Sequence, residues 1–98
     1  MNSPAERFAA NLRMLRAEAD LTQETLALRG GIHRTQISLM ESGQRLPRLD
    51  TLVKLAGALE VTVGELADGI SWTPSENRSG AFVVAGRNRA GDDAPKTE

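Results

Sequence analysis

The stretch from Gln23 to Ser42, QETLALRGGIHRTQISLMES, constrains this chain more than any other. Leu26 and Ala27 give a first helix an apolar seam, and Ile32, Ile37 and Met40 rebuild one downstream. Between them Gly30-Gly31 supplies backbone able to adopt a positive φ, which permits a sharp reversal. A small side chain at Ala27 lets two helices approach closely. The pattern predicts two short helices that share one core around a tight turn.

With those positions buried, the remainder of the second helix faces outward. Its outward set is His33, Arg34, Thr35, Ser38 and Leu39, mostly polar groups of a length that reaches base edges in the DNA major groove. An ordinary αα-hairpin with a solvated face satisfies the same spacing, because helix-turn-helix geometry is a subset of such hairpins. Charge separates the two readings. The net charge of the chain is -1, yet from Arg29 to Lys54 the cations Arg29, Arg34, Arg45, Arg48 and Lys54 oppose only Glu41 and Asp50, a local surplus of +3. Acids gather elsewhere, at Glu18, Asp20 and Glu24 and again at Glu60, Glu65 and Asp68.

The flanking sequence predicts more helices. Ser3, Pro4 and Glu6 form a capping box with proline at the first helical position, and Phe8, Leu12, Leu15 and Ala19 follow at helical spacing as core. Thr22 is a natural cap for the helix that starts at Gln23, where alanine should cost about 1 kcal/mol. Ser42-Gly43-Gln44-Arg45-Leu46-Pro47 reads as a loop, because Gly43 ends a helix and Pro47 disfavours helical geometry at Leu46. Leu49, Leu52, Leu55, Ala56 and Leu59 mark a fourth helix. Thr62 with Glu65 caps a short fifth one, which Gly69 stops.

Length bounds the function classes. A chain of 98 residues holds one domain with a modest core and is short for a self-contained enzyme. It has no cysteine, no tyrosine, one histidine, no glycine-rich phosphate loop and no spaced acid pair, so no catalytic constellation is expected. A lone histidine without cysteine is no metal site. No apolar run is long enough to span a membrane and MNSPAERF lacks signal-peptide character, so the expectation is a soluble cytoplasmic protein with no cofactor, no membrane partner and no small-molecule ligand.

The string LRMLRAEADLTQETLALRGGIHRTQISLMESGQRLPRLDTLVKLAGALEVTVGEL resembles the phage repressor and Cro type of helix-turn-helix domain, the XRE family. The resemblance covers most of residues 5 to 70, about two-thirds of the chain. It rests on the Leu-Thr-Gln-Glu start of the second helix, Ala27, Gly31, Ile37, Glu41, Gly43, Pro47 and the Leu-Ala-x-Ala-Leu segment at 55 to 59. Each is weak alone, and together they are specific. Two positions depart from the pattern: Glu60 stands where these domains commonly end a helix with glycine, and Arg48 replaces a common serine before the fourth helix. Both lower local capping quality.

The resemblance implies roles for individual residues. Gln23 matches a position that contacts a DNA phosphate together with main-chain N–H groups. Arg34 and Thr35 match the first-turn reading positions, with His33, Ser38 and Leu39 beside them; Arg34 is the candidate for a bidentate contact with guanine, about 1 to 3 kcal/mol of base discrimination. His33 stands where a Ser or Thr cap is common, so it caps poorly, contacts phosphate or faces water. Leu39 either touches a thymine methyl or lies idle. Arg45 and Arg48 are candidates for phosphate or minor-groove contacts, and Arg16 with Glu41 matches a structural pair that joins the first helix to the end of the reading helix.

Beyond Gly69 the resemblance thins. Ile70-Ser71-Trp72-Thr73 and Ala81-Phe82-Val83-Val84 are β-prone runs around a Pro-, Ser- and Gly-containing link, which predicts a hairpin or strand pair. Trp72 and Phe82 then either seal one end of the core or face a second subunit, the second being favoured. Residues 85 to 98 read as a disordered tail, with Asp92-Asp93 solvated rather than catalytic. The reading is therefore an all-α, compact five-helix repressor-like helix-turn-helix domain over 1–69, a C-terminal extension over 70–84 and a tail. Its partner is double-stranded DNA, bound as a homodimer on a partly palindromic operator. A protein-interaction module such as an antitoxin is the alternative.

Overall fold

The computed structural model describes residues 3–85, so the tail expected from residue 86 onward, with Asp92 and Asp93, lies outside the described residues. Five helices and one hairpin follow in chain order: α1 (Pro4–Glu18), α2 (Gln23–Gly30), α3 (Arg34–Glu41), α4 (Leu49–Leu59), α5 (Val63–Leu66), β1 (Ile70–Thr73) and β2 (Ala81–Val84). Among the described residues no helix is long and apolar enough to cross a membrane.

Local chemistry sets the ends. Ser3 Oγ accepts from the Glu6 amide at 3.1 Å while the Glu6 carboxylate accepts from the Ser3 amide at 2.9 Å, which starts α1. Thr22 Oγ1 accepts from the Thr25 amide at 3.0 Å to start α2. Thr62 and Glu65 form the same reciprocal box at α5. Gly31, at φ +64°, ends α2 in the left-handed region, where a side chain would be strained. The two irregular caps differ as their residues dictate. Glu60 takes the same left-handed geometry at φ +59° without the freedom of glycine, and Arg48 precedes α4 with no side-chain cap.

One core joins all five helices. Phe8, Leu12 and Leu15 of α1 meet Leu26 and Ala27 of α2, Ile37 and Met40 of α3, Leu55, Ala56, Ala58 and Leu59 of α4, and Leu66 of α5. Ala19, expected on that seam, is exposed because α1 has already ended at Glu18.

The extension is an antiparallel hairpin in which Ile70 pairs with Val84 and Trp72 with Phe82. It rests on α1, and Ile70 is the residue that packs against the helical core. Trp72 and Phe82 lie further out, 52% and 60% exposed, and meet each other edge to face with ring centroids 5.0 Å apart. Sealing the core is thus the work of Ile70, so of the two alternatives for the aromatics the core-sealing one, which was not the favoured one, is not what the structure shows. Period-two alternation puts Ile70, Trp72, Phe82 and Val84 on one face, but only its inner half reaches α1. The junction is polar as well as apolar: Asn11, nearly fully buried, donates from Nδ2 to the carbonyls of Leu66 and Asp68 at 2.9 Å each, and Arg7 Nε donates to Asp68 O at 3.2 Å. These two α1 side chains take up carbonyls that the end of α5 leaves without helical partners.

Candidate nucleic-acid interface

The geometry of α2 and α3 follows from what α3 buries. Ile37, Met40 and Glu41 point inward, leaving Arg34, Thr35 and Ser38 exposed on the opposite side and Leu39 half-buried at its margin. His33 is the N-cap of α3, is exposed, and makes no side-chain capping bond, so the first amide groups of α3 remain free of a side-chain acceptor from that residue. The five outward residues of the sequence reading therefore share one helix face. They are joined there by Gln36, which is half-buried.

Glu41 fixes the position of that face. Its side chain is 5% exposed, and Arg16 of α1 approaches it with both prongs, Nε to Oε2 at 2.6 Å and Nη2 to Oε1 at 3.0 Å. The hydrogen bond to Glu41 raises the pKa of Arg16 above its already high ordinary value, against a smaller lowering by burial. Arg16 Nη1 also donates to the Leu21 carbonyl at 2.8 Å, which ties the α1–α2 link into the same cluster. Two further contacts escaped the sequence reading. Gln23 Nε2 donates to Glu41 Oε1 at 3.0 Å, and Arg13 Nη1 donates to the Glu41 main-chain carbonyl at 2.5 Å. The spacing of Arg13 and Arg16, three residues apart on one helix, was the available signal for the second.

Gln23 thus has a structural partner in addition to its place at the α2 N-terminus, where main-chain N–H groups open outward. Arg34 borders the same place: Arg16, Leu21, Thr22, Gln23, Glu24 and Arg34 line one shallow, open recess. The structure therefore brings Gln23 and Arg34 together. Arg45 and Arg48 stand apart from them, in the exposed segment between α3 and α4, and Arg48 reaches only Asp50, at 3.8 Å with both side chains largely in solvent. Such a pair holds little energy and leaves Arg48 available. Arg29 points elsewhere. Its Nε donates to the Ala58 carbonyl at 2.9 Å and its Nη2 to Glu60 at 3.2 Å, so this cation caps α4 and the local surplus overstates the charge beside the outward face of α3.

A helix-turn-helix family pattern matches residues 12–66. The chain belongs to the helix-turn-helix family. That span of the helix-turn-helix domain runs from mid-α1 to α5 and leaves out the hairpin. Among similar proteins, the HTH-type transcriptional activator BcrR of Enterococcus faecalis is 39% identical over 75 residues, 74% of this chain but 37% of BcrR, so the chain spans about a third of that relative. The uncharacterized HTH-type transcriptional regulator y4dJ of Sinorhizobium fredii is 39% identical over 69 residues, which cover 70% of this chain and 90% of y4dJ. The crystal structure of the restriction-modification controller protein C.AhdI from Aeromonas hydrophila superimposes with a TM-score of 0.62 at 40% identity, over 63% of this chain and 94% of that one. By their names these relatives are transcriptional regulators or controllers, in agreement with the family read from the sequence.

Proposed function

We propose that this protein is a sequence-specific DNA-binding transcriptional regulator that works as a homodimer on a partly palindromic operator. The single observation that carries this reading is the outward face of α3, where His33, Arg34, Thr35 and Ser38 are exposed together on a helix whose far end is clamped to α1 and α2 through Glu41. A rigid mount with a polar, cationic face suits base-edge contacts. Arg34 and Thr35 read bases, with Ser38 and Leu39 beside them and His33 at the leading end. Gln23 and the α2 amide groups hold a phosphate, and Arg45 and Arg48 reach the backbone or the minor groove.

A single helix of this size reads few base pairs, whereas two such helices one DNA turn apart, about 34 Å, read both halves of a palindrome. Occlusion of polymerase makes repression the simplest outcome. The name of BcrR shows that a relative activates, and an identical reading face serves either sign. The cations beside α3 favour DNA over a protein groove, so the antitoxin alternative has no observation of its own.

Selection of bound sites from random duplex DNA by the full chain tests the reading. Enrichment of a two-fold symmetric motif with a fixed half-site spacing is the expected result. Enrichment of nothing, or binding equal on all sequences, would overturn it.

A further inference from the structure

The outer face of α4 is unused by the fold of one chain. Leu49 is 72% exposed and Val53 is 54% exposed, one turn apart, and Gly57 continues the same stripe a turn later. Leu46, 48% exposed, extends the apolar surface into the preceding loop. Gly57 is the informative member. It has no positive φ, and a Cβ placed on it would meet nothing within 4 Å, so neither backbone geometry nor packing in the single chain asks for glycine. A mid-helix glycine nonetheless weakens a helix. Open space beside a costly glycine fits the close approach of another helix.

Asp50 and Lys54, also exposed and one turn apart, form the other margin of this face. Asp50 accepts from the Thr51 amide at 2.8 Å and lies 3.8 Å from Arg48, and among the described residues no ion pair joins it to Lys54. These two margins select a geometry. When identical helices pack antiparallel about a two-fold axis, like margins meet: apolar lies against apolar, and along the charged margin each acid comes opposite the base a turn away. A parallel pair would instead set the charged margin of each helix against the apolar margin of its partner.

Resting on the homodimer reading above, we propose that this face is the contact between two copies of the chain. The α4 helices run antiparallel with Val53 at the symmetry axis, Leu49 seated over the partner's Gly57, and Asp50 opposite the partner's Lys54. A register centred on Val53 satisfies the first two relations together, and the charge pair falls within a turn of it. The contact begins where the loop bearing Arg45 and Arg48 ends, so it joins the subunits beside the reading face.

Sedimentation of the full chain over a range of concentrations, with and without the selected operator, tests this. Gly57→Leu should abolish the dimer while circular dichroism shows the helices intact, since the site is open in the single chain. Asp50→Lys and Lys54→Asp should each raise the dimer dissociation constant about tenfold, because each reverses two symmetry-related pairs, and the double variant should return to within about threefold of the parent. A dimer that persists in Gly57→Leu but fails in Trp72→Ser or Phe82→Ser would overturn this interface in favour of the hairpin and leave the homodimer reading standing. A parent chain that stays monomeric both free and on its operator would overturn both.

Discussion

Replacing Glu41 with alanine tests the central claim about the site, because one buried carboxylate serves both the fold and the aim of α3. The substitution removes the two bonds from Arg16, at 2.6 and 3.0 Å, and the bond from Gln23 at 3.0 Å. Breaking a buried ion pair from one side costs about 3 to 5 kcal/mol, since the surviving charge is left unpaired, whereas an exposed pair is worth under about 1. The Arg16 side chain keeps 22% exposure and can recover some water, which places the loss near the lower end, about 3 kcal/mol. For a domain of this size that lowers the melting temperature by roughly 12 to 24 °C. Thermal and urea unfolding measure it, with a Glu41→Leu, Arg16→Met double variant as the control that removes both charges. The double variant should lose markedly less than Glu41→Ala. A loss below about 1 kcal/mol in the single variant, or an equal loss in both, would refute the account of Glu41 as a clamp. The arginine side of this pair is insensitive to ordinary pH. Its pKa is raised in the fold, so its contribution is fully present below the unfolded arginine value and is lost only as pH climbs through the still higher folded one.

Other expectations follow from the same geometry. Arg34→Ala should relax preference at one base position of the selected site at a cost of about 1 to 3 kcal/mol; a uniform loss on all sequences would reassign Arg34 to phosphate, as its place in the recess beside Gln23 also allows. Thr22→Ala should destabilise by about 1 kcal/mol in urea unfolding, having lost the bond to the Thr25 amide. Glu60→Gly should stabilise by about 0.5 to 1 kcal/mol, because relief of the left-handed geometry outweighs an exposed contact to Arg29; a destabilised variant would show that contact to matter more than its exposure indicates. A chain cut after Gly69 should keep its helices and lose about 1 to 3 kcal/mol, the share of Ile70 and Val84, while an unfolded product would make the hairpin an obligatory part of the core.

The helices were legible because their signals are local. Capping boxes at Ser3 and Thr62, the apolar period of α1 and α4, and the glycine at position 31 each act within a few residues, and the structure uses them except at the ends of the two periods, where Ala19 and Leu49 are exposed. The outward set of α3 followed from the buried one. What sequence reading lacked were the polar contacts between distant segments. Gln23 was placed for phosphate, and its bond to Glu41 depends on how α2 and α3 cross; Arg29 was counted with the reading-face cations, and its turn toward Ala58 depends on where α4 ends. Asn11 and Arg7 carried no recognisable signal, because their partners are main-chain carbonyls at the end of α5. The aromatics of the hairpin were legible as a cross-strand pair, but how far the hairpin projects past α1 is set by the polar junction at Asp68.

Glu41 has a consequence for how such a protein diversifies. Through one side chain and one carbonyl, the final residue of α3 is fastened to two arginines of α1 and to the first residue of α2, so the placement of α3 is tied to both helices. On the proposed function, a half-site of unusual groove width would be met by deformation of the DNA or by a change in how two subunits sit rather than by re-aiming the helix. On the same proposal, new operator preferences would arise by exchange of the exposed residues at 34, 35 and 38, which touch none of the fastening bonds. Stability and specificity can therefore vary separately in this domain.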